Sequence, residues 1–206
     1  MKKFAPIAFV VLLALVACNK GADSNETLVR KAFLSYIEDE LGVRPSMAKI
    51  DGIKHVDTLS AESLSSRVAN VYKLFVYSVA SARKFNEEHS DRIAQTPEAM
   101  DLVNVAVECL SAVGDQIDTL VRRAGNISFD GTAYGYEVDF TLDGPRKIGY
   151  TSFVYLGEDG SVKGIGRSSD ATSFVPGYDV FSSLEDKVVH NLTRINDIYS
   201  ELEKSL

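Results

Sequence analysis

Three carboxylates near one predicted strand are the residues best placed to do hydrolytic chemistry. Glu137 and Asp139 alternate with apolar residues, so both project from the polar side of that strand, and Asp143 lies just beyond its end. Two carboxyl groups held close together can cleave a glycosidic bond, one as general acid and one as base or nucleophile. The alternative is a solvated sheet face, because spacing in the sequence does not fix spacing in the fold.

The three histidines do not form a recognisable metal motif. His55 makes an HxD pair with Asp57, His89 sits among acidic residues in a predicted polar loop, and His190 lies on the polar flank of a predicted helix. A metal site needs ligands that converge from at least two places in the chain. We therefore expect exposed histidines, and neither a metal nor a cofactor.

No nucleophile has a catalytic setting that we recognise. Cys109 lies beside Val107 and Leu110 on a predicted helix, where a thiol packs as a small apolar group. The sequence has neither a GxSxG nor an SxxK motif. Residues 160–169 have glycine spacing like that of a phosphate loop, but no helix is predicted to follow them, so we expect turn and strand glycines.

The N-terminal segment has the parts of a secretion signal. Lys2 and Lys3 precede fourteen uncharged residues, Phe4 to Ala17, which are too few to cross a hydrocarbon core of roughly 30 Å as a helix. The segment ends in Leu15-Val16-Ala17-Cys18. These four residues resemble the lipobox of bacterial lipoproteins.

The resemblance implies that Cys18 carries lipid. In that family a diacylglyceryl group is joined to the cysteine sulfur, the signal is cut just before it, and the new amine is usually acylated. Residues 1–17 would then be the signal peptide, and residues 18–24 the lipidated cysteine with a short tether. Asn19, in place of the aspartate that retains many such proteins in the inner membrane, implies the outer membrane in a Gram-negative host. The alternative is an uncleaved hydrophobic anchor.

Charge excludes some partners of the mature chain. The full sequence has 22 basic and 29 acidic residues, and removing residues 1–17 leaves 20 basic ones and a net charge of −9. The longest basic clusters are pairs such as Arg122-Arg123, so we expect no nucleic-acid binding. The same acidity argues against electrostatic binding to anionic lipids. Cys109 would be the last unmodified thiol, which leaves no intramolecular disulfide.

Apolar residues spaced by three and four predict four helices. The first covers residues 25–41, with Asp23 and Glu26 as a capping box and Gly42 as its stop. Two more form a long antiparallel hairpin and the fourth closes the chain. The first hairpin helix is capped by Ser60 and is followed by a polar break over residues 86–95. The second starts at Thr96-Pro97 and ends at Ala124, with Gly125 as a left-handed stop. The last helix covers residues 182–205.

Alternating polarity predicts strands between the hairpin and the last helix. Two turns separate three strands, and residues 47–56 look like a further strand or extended piece. The predicted strands cover residues 134–141, 147–156 and 161–168, with turns at Asp143-Gly144-Pro145 and at residues 157–160. The order predicts one α+β domain over residues 25–206, with an N-terminal helix, a helical hairpin, a three- or four-stranded antiparallel meander and a C-terminal helix.

Together these features favour a membrane-anchored extracytoplasmic lipoprotein without enzymatic activity. We expect it to contact the membrane through lipid on Cys18 and to bind an envelope protein or polymer, as assembly accessories, immunity factors and exclusion factors do. Two alternatives stay open. One is a hydrolase of envelope material that uses the carboxylates near Glu137, and the other is a small-ligand carrier with an apolar cavity.

Overall fold

The computed structural model describes residues 22–143 and 148–206, without the side chains of residues 22–24, 168 and 169. The predicted signal peptide, Cys18, the first part of the tether and the Gly144-Pro145 part of the predicted turn lie outside these residues. The described elements are α1 (Ala22–Asp39), β1 (Ala48–Leu59), α2 (Ala61–Gln95), α3 (Pro97–Ala124), β2 (Ala133–Leu142), β3 (Ile148–Gly157), β4 (Val162–Gly166), α4 (Ser168–Ala171) and α5 (Tyr178–Ser205). This order confirms the α+β class.

The stretch predicted as one domain divides into two compact units. Of the described residues, a sheet unit contains those up to Leu59 and those within Gly131–Phe174, and a helical unit contains Ser60–Asp130 and Val175–Leu206. Each unit has its own hydrophobic core.

The sheet unit is a four-stranded antiparallel meander in the order β1-β2-β3-β4. The extended piece predicted at residues 47–56 is the edge strand β1, which is longer than expected. Its register against β2 shifts between Ile50 and Gly52 and again between His55 and Asp57, so Asp51 and Val56 are extra residues. Bulges of this kind twist an edge strand and make it a poorer template for pairing with another chain.

One face of the sheet is covered by α1. Val29, Phe33 and Ile37 of the helix are fully buried against the sheet residues Val138, Phe140, Val154 and Leu156. The rings of Phe33 and Phe140 lie with centroids 4.6 Å apart. Each such side chain contributes about 1.5–3 kcal/mol on burial, so this layer fixes the sheet unit.

The start of α1 differs from the prediction, whereas its end agrees with it. The helix already includes Ala22, so Asp23 is inside its first turn and its assignment as the N-cap of a capping box is wrong. At the other end Gly42 adopts a φ of 63°, and the Val43 amide donates to the Ile37 carbonyl at 2.9 Å. This is the Schellman arrangement in which glycine supplies the left-handed residue.

The opposite face of the sheet is closed over β3 and β4 by the segment after β4. Tyr155 is buried against Phe174, with ring centroids 5.8 Å apart. A side chain could not fit beneath this cover, because a Cβ atom on Gly164 would lie 2.1 Å from the Ala171 carbonyl oxygen. Glycine is required there by close approach of backbone to backbone.

The helical unit consists of α2, α3 and α5, and the predicted break between the two hairpin helices was wrong. Residues 86–95 do not break the helix, and α2 runs for 35 residues to Gln95 with Thr96 alone at the turn. Glu, Arg, Ala and Gln are good helix formers, and Ile93 is buried, so the polarity of this stretch marks an exposed surface. Two i,i+4 ion pairs, Arg83–Glu87 and Lys84–Glu88, add weak support.

The other predicted boundaries of the helical unit are largely confirmed. Ser60 caps α2, because its hydroxyl accepts from the Ser63 amide at 3.1 Å. Pro97 is the first residue of α3, as predicted. Gly125 follows α3 but has a φ of −65°, so the predicted left-handed stop is wrong there. The last helix starts four residues earlier than expected, at Tyr178, after Gly177 with a φ of 81°.

A partly buried arginine joins α2 to α5. The Arg67 guanidinium donates from Nε to Glu185 Oε2 at 2.9 Å and also donates to the Tyr178 hydroxyl. Its Cζ atom lies 5.3 Å from the centroid of the Tyr178 ring and 5.4 Å from that of Phe181. Planar guanidinium groups suit such sites because they stack on rings while they bind a carboxylate.

Because backbone lies so close to Gly164, substitution by alanine should reduce stability there but not at the open position Gly149. Gly164→Ala forces Cβ against the Ala171 carbonyl and should destabilise the protein by about 1–3 kcal/mol. The control is Gly149→Ala on β3, where nothing lies within 4 Å of the new Cβ, and a neutral or slightly stabilising effect is expected. Urea unfolding followed by circular dichroism measures both variants. Equal losses for the two variants would contradict the packing described here.

Candidate functional site

The predicted lipidation site lies outside the described residues. Cys18 precedes them by four positions, so the structure places neither it nor the signal peptide. Within the described part of the chain, no helix combines the length and the apolar character needed to cross a membrane.

The three candidate carboxylates lie on and after β2. Glu137 is half-buried and Asp139 is exposed on the same side of the strand, two residues apart and thus separated by roughly 7 Å at Cα. Asp139 accepts a hydrogen bond from the Thr151 hydroxyl at 2.7 Å. Asp143 is exposed beyond the end of the strand, where its amide donates to the Met47 carbonyl. The structure therefore brings Glu137 and Asp139 onto one surface.

The histidines lie on separate elements. His55 is exposed on β1, with Nε2 3.3 Å from the Thr58 hydroxyl and its ring edge-on to Tyr136. His89 is on α2 with its ring 4.5 Å from that of Phe85, so its predicted place in a polar loop is wrong. His190 is exposed on α5, as predicted. Among the residues that the structure describes, no three His, Cys, Asp or Glu side chains meet as a metal site.

The two remaining candidates from the sequence, Cys109 and the glycine-rich segment, lie in helices, strands and turns. Cys109 is half-buried on α3. In the glycine-rich segment Gly160 forms the β3–β4 turn with a φ of 77°, as predicted, and Gly164 is in β4. A helix does follow, contrary to the prediction, but α4 is a single turn of four residues. A Cβ atom on Gly166 would lie 3.2 Å from Asp170 Cβ, so glycine at this position allows the chain of α4 to approach β4 closely.

The middle of α2 carries the largest exposed apolar side chains of the helical unit. Residues 68–82 contain a single charged residue, Lys73. Only one stripe of this stretch is buried, and large side chains on the other sides are exposed. These are Tyr72, Leu74, Val76, Tyr77 and Val79, of which Tyr77 is 71% exposed. A surface helix ordinarily carries charged and polar residues on its outer side, so these exposed apolar side chains form a candidate interaction surface.

On the flank of α2 next to α3, the exposed side chains continue onto α3. We call this surface the α2–α3 strip and define it by side chains that are 39–55% exposed. They are Tyr72, Val76 and Val79 on α2 and Met100, Val107 and Val121 on α3. Spacing by three and four does not reveal the strip, because it assigns every apolar residue of a stripe to the core, Val79, Met100 and Val107 included. The signal that could have found it is the near absence of charge over residues 68–82.

An open groove of about 640 Å³ lies along the strip near the hairpin tip. Val79 and Val107 form part of its walls, and Asn86 and Tyr199 also line it. Asn86 Nδ2 donates to the Tyr199 hydroxyl at 3.2 Å, whereas its buried Oδ1 accepts no hydrogen bond from any residue within 22–143 or 148–206. None of the three candidate carboxylates lines this groove.

The sequence and structure were compared with family models, curated proteins and solved structures, and nothing matches the chain. The function is therefore argued from the residues of the chain itself.

Because Tyr199 is partly buried in this groove, its hydroxyl should have a raised pKa. Burial raises the pKa of this hydroxyl, and the hydrogen bond from Asn86 opposes the shift. A raised folded-state pKa stabilises the fold fully below the unfolded value of about 10, and that stability is lost as the pH rises through the folded pKa. Tyr199→Phe should reduce the absorbance change at the alkaline end of the titration and lessen the loss of stability above about pH 10.

The control for this titration is Tyr77→Phe, which removes an exposed hydroxyl from the same unit. This variant should not lessen the loss of stability above about pH 10. A loss that is unchanged in Tyr199→Phe, or lessened equally in both variants, would contradict the raised pKa of Tyr199.

Proposed function

We propose that this chain is a lipid-anchored protein of the bacterial cell envelope whose helical unit binds an envelope protein or polymer. The observation that carries the anchor is the sequence Leu15-Val16-Ala17-Cys18 directly after fourteen uncharged residues. In this proposal residues 1–17 are removed and the thiol of Cys18 holds the lipid. Asn19 directs the anchored chain to the outer membrane in a Gram-negative host.

Physical chemistry favours lipid over protein surface as the membrane contact. A single acyl chain binds a bilayer only marginally, but each buried methylene adds about 0.8 kcal/mol, so two or three chains hold a protein stably. The mature chain has a net charge of −9 and would be repelled by anionic lipids. Only residues 19–21 separate Cys18 from α1, a stretch of at most about 11 Å. The protein would therefore work close to the bilayer.

The support for a binding function is the apolar surface of α2. Tyr72, Val76 and Val79 lie on the flank of α2 next to α3, while Leu74 and Tyr77 lie on other sides of the helix at 100° per residue. Exposed aromatic and aliphatic side chains are the usual anchors of protein interfaces. The acidity of the chain favours a protein or neutral polymer over a nucleic acid.

The anchor is tested by removing the thiol. Cys18→Ala in the full chain should abolish incorporation of labelled palmitate and leave the signal peptide uncleaved, because both processing steps need the lipidated cysteine. Cys109→Ser is the matched control and should be labelled and cleaved normally. Measurement is by autoradiography and intact mass. Labelling of the Cys18→Ala chain at the level of the parent chain would refute the assignment.

The partner is tested by crosslinking in cells. A photoreactive residue in place of Tyr77, the most exposed of the α2 side chains, should give a discrete crosslinked envelope protein or glycan, identified by mass spectrometry. The control position is the exposed Asp186 on α5, which should give no such product. The same products from both positions, or only lipid from each, would count against a specific binding surface at Tyr77.

A further inference from the structure

In the middle of the hairpin the charged residues are segregated by helix. Between Glu62 and Glu87 the charged residues of α2 are all basic, and between Glu98 and Arg122 those of α3 are all acidic. The bases are Arg67, Lys73, Arg83 and Lys84, and the acids are Asp101, Glu108, Asp115 and Asp118. Arg67 is engaged with α5, so the basic surface of α2 consists of the other three.

These charges border the α2–α3 strip on opposite sides. At 100° per residue, Lys73 and Lys84 fall on the edge of α2 that lies away from α3. Glu108 and Asp115 fall on the edge of α3 that lies away from α2. The strip is thus a largely apolar surface, interrupted by Arg83 on α2 and Asp118 on α3, with one basic edge and one acidic edge.

The charged residues of the two edges lie at the same heights along the hairpin axis. The Phe75 ring lies against Gly114, 3.7 Å from where its Cβ would be, and this contact sets the register of the antiparallel helices. Lys73 is therefore level with Asp115, and Lys84 is within about one turn of Glu108. The edges face outward, and in the described structure no ion pair joins Lys73 to Asp115 or Lys84 to Glu108. Lys84 pairs with Glu88 on its own helix, an exposed contact that exchanges at little cost.

We propose that the α2–α3 strip is the interface with a second copy of this chain, related by a twofold axis that runs along the strip. Rotation about such an axis places the basic edge of each copy over the acidic edge of the other. A twofold axis across the helices would instead place base over base and acid over acid. The charge pattern is therefore self-complementary for one arrangement and repulsive for the other.

The size of the strip suits such a dimer. From the level of Val68 to that of Ser90 it extends for about 33 Å, and two packed helices are roughly 20 Å wide. This amounts to roughly 700 Å² per copy, close to the roughly 800 Å² that each partner contributes to a standard interface. The α2 of one copy would lie antiparallel to the α3 of the other, as in a four-helix bundle. The inference is independent of the lipid on Cys18.

The interface is tested by sedimentation of the full chain in detergent micelles over roughly 1–100 µM. The parent chain should be a dimer, and Val107→Asp should raise its dissociation constant at least about tenfold, because a buried unpaired charge is costly. Val180→Asp, an equally drastic change at an exposed valine of α5, is the control and should not alter it. Circular dichroism confirms that each variant is folded.

Three results would overturn the proposal. One is a parent chain that is monomeric throughout this range, and another is a dimer that Val107→Asp leaves intact. The third is a monomer in which Val107→Asp abolishes a crosslink to another envelope protein, which would assign the strip to that partner.

Charge reversal tests the direction of the axis. Lys73→Glu and Asp115→Lys should each weaken the dimer about tenfold, because each opposes like charges across the interface. The double variant K73E/D115K exchanges the two charges and should return the dissociation constant to within about threefold of the parent value. These exposed positions do not enter the core, so folding is preserved. A double variant weaker than either single one would overturn the axis along the strip.

Discussion

Three helices packed side by side can bury only the inward side of each one, and this limit governs the helical unit. In α2 that side is occupied by Leu64, Val71 and Ala82, which are at most 4% exposed. The middle of the helix is nevertheless apolar elsewhere, with Lys73 as the single charge in fifteen residues. Apolar area left in water forgoes about 25 cal/mol for each Å² that could be buried. The unit is stable as a bundle but retains a surface suited to association.

The sheet unit differs from the helical unit, because other segments cover one face of its sheet and part of the other face. One face is covered by a full helix, α1, through its buried side chains. The other is covered over β3 and β4 by a short segment that approaches the backbone at Gly164, where a side chain would not fit. The uncovered remainder of that face carries polar groups such as Asp139 and Thr151. The candidate carboxylates therefore lie on a surface next to water.

The proposed lipid anchor and the proposed dimer interface would complement each other physically. Chains confined within about a nanometre or two of one bilayer meet at a far higher effective concentration than chains free in solution. An interface that gives only modest affinity in three dimensions can then be well occupied. Opposite charges at its two edges add orientation more than strength, because exposed ion pairs contribute little energy but disfavour the wrong pairing.

The sequence by itself determined the elements that local physics specifies. Spacing by three and four fixed the helices, alternation fixed β2 and β3, and Ser60, Pro97 and Gly42 marked boundaries through capping, a missing amide and a left-handed residue. Only the tertiary structure decided which apolar residues are buried. Val79 and Val107 belong to apolar stripes yet are exposed, and Arg67 finds Glu185 118 positions away. Periodicity describes one helix at a time, whereas burial depends on where its neighbours pack.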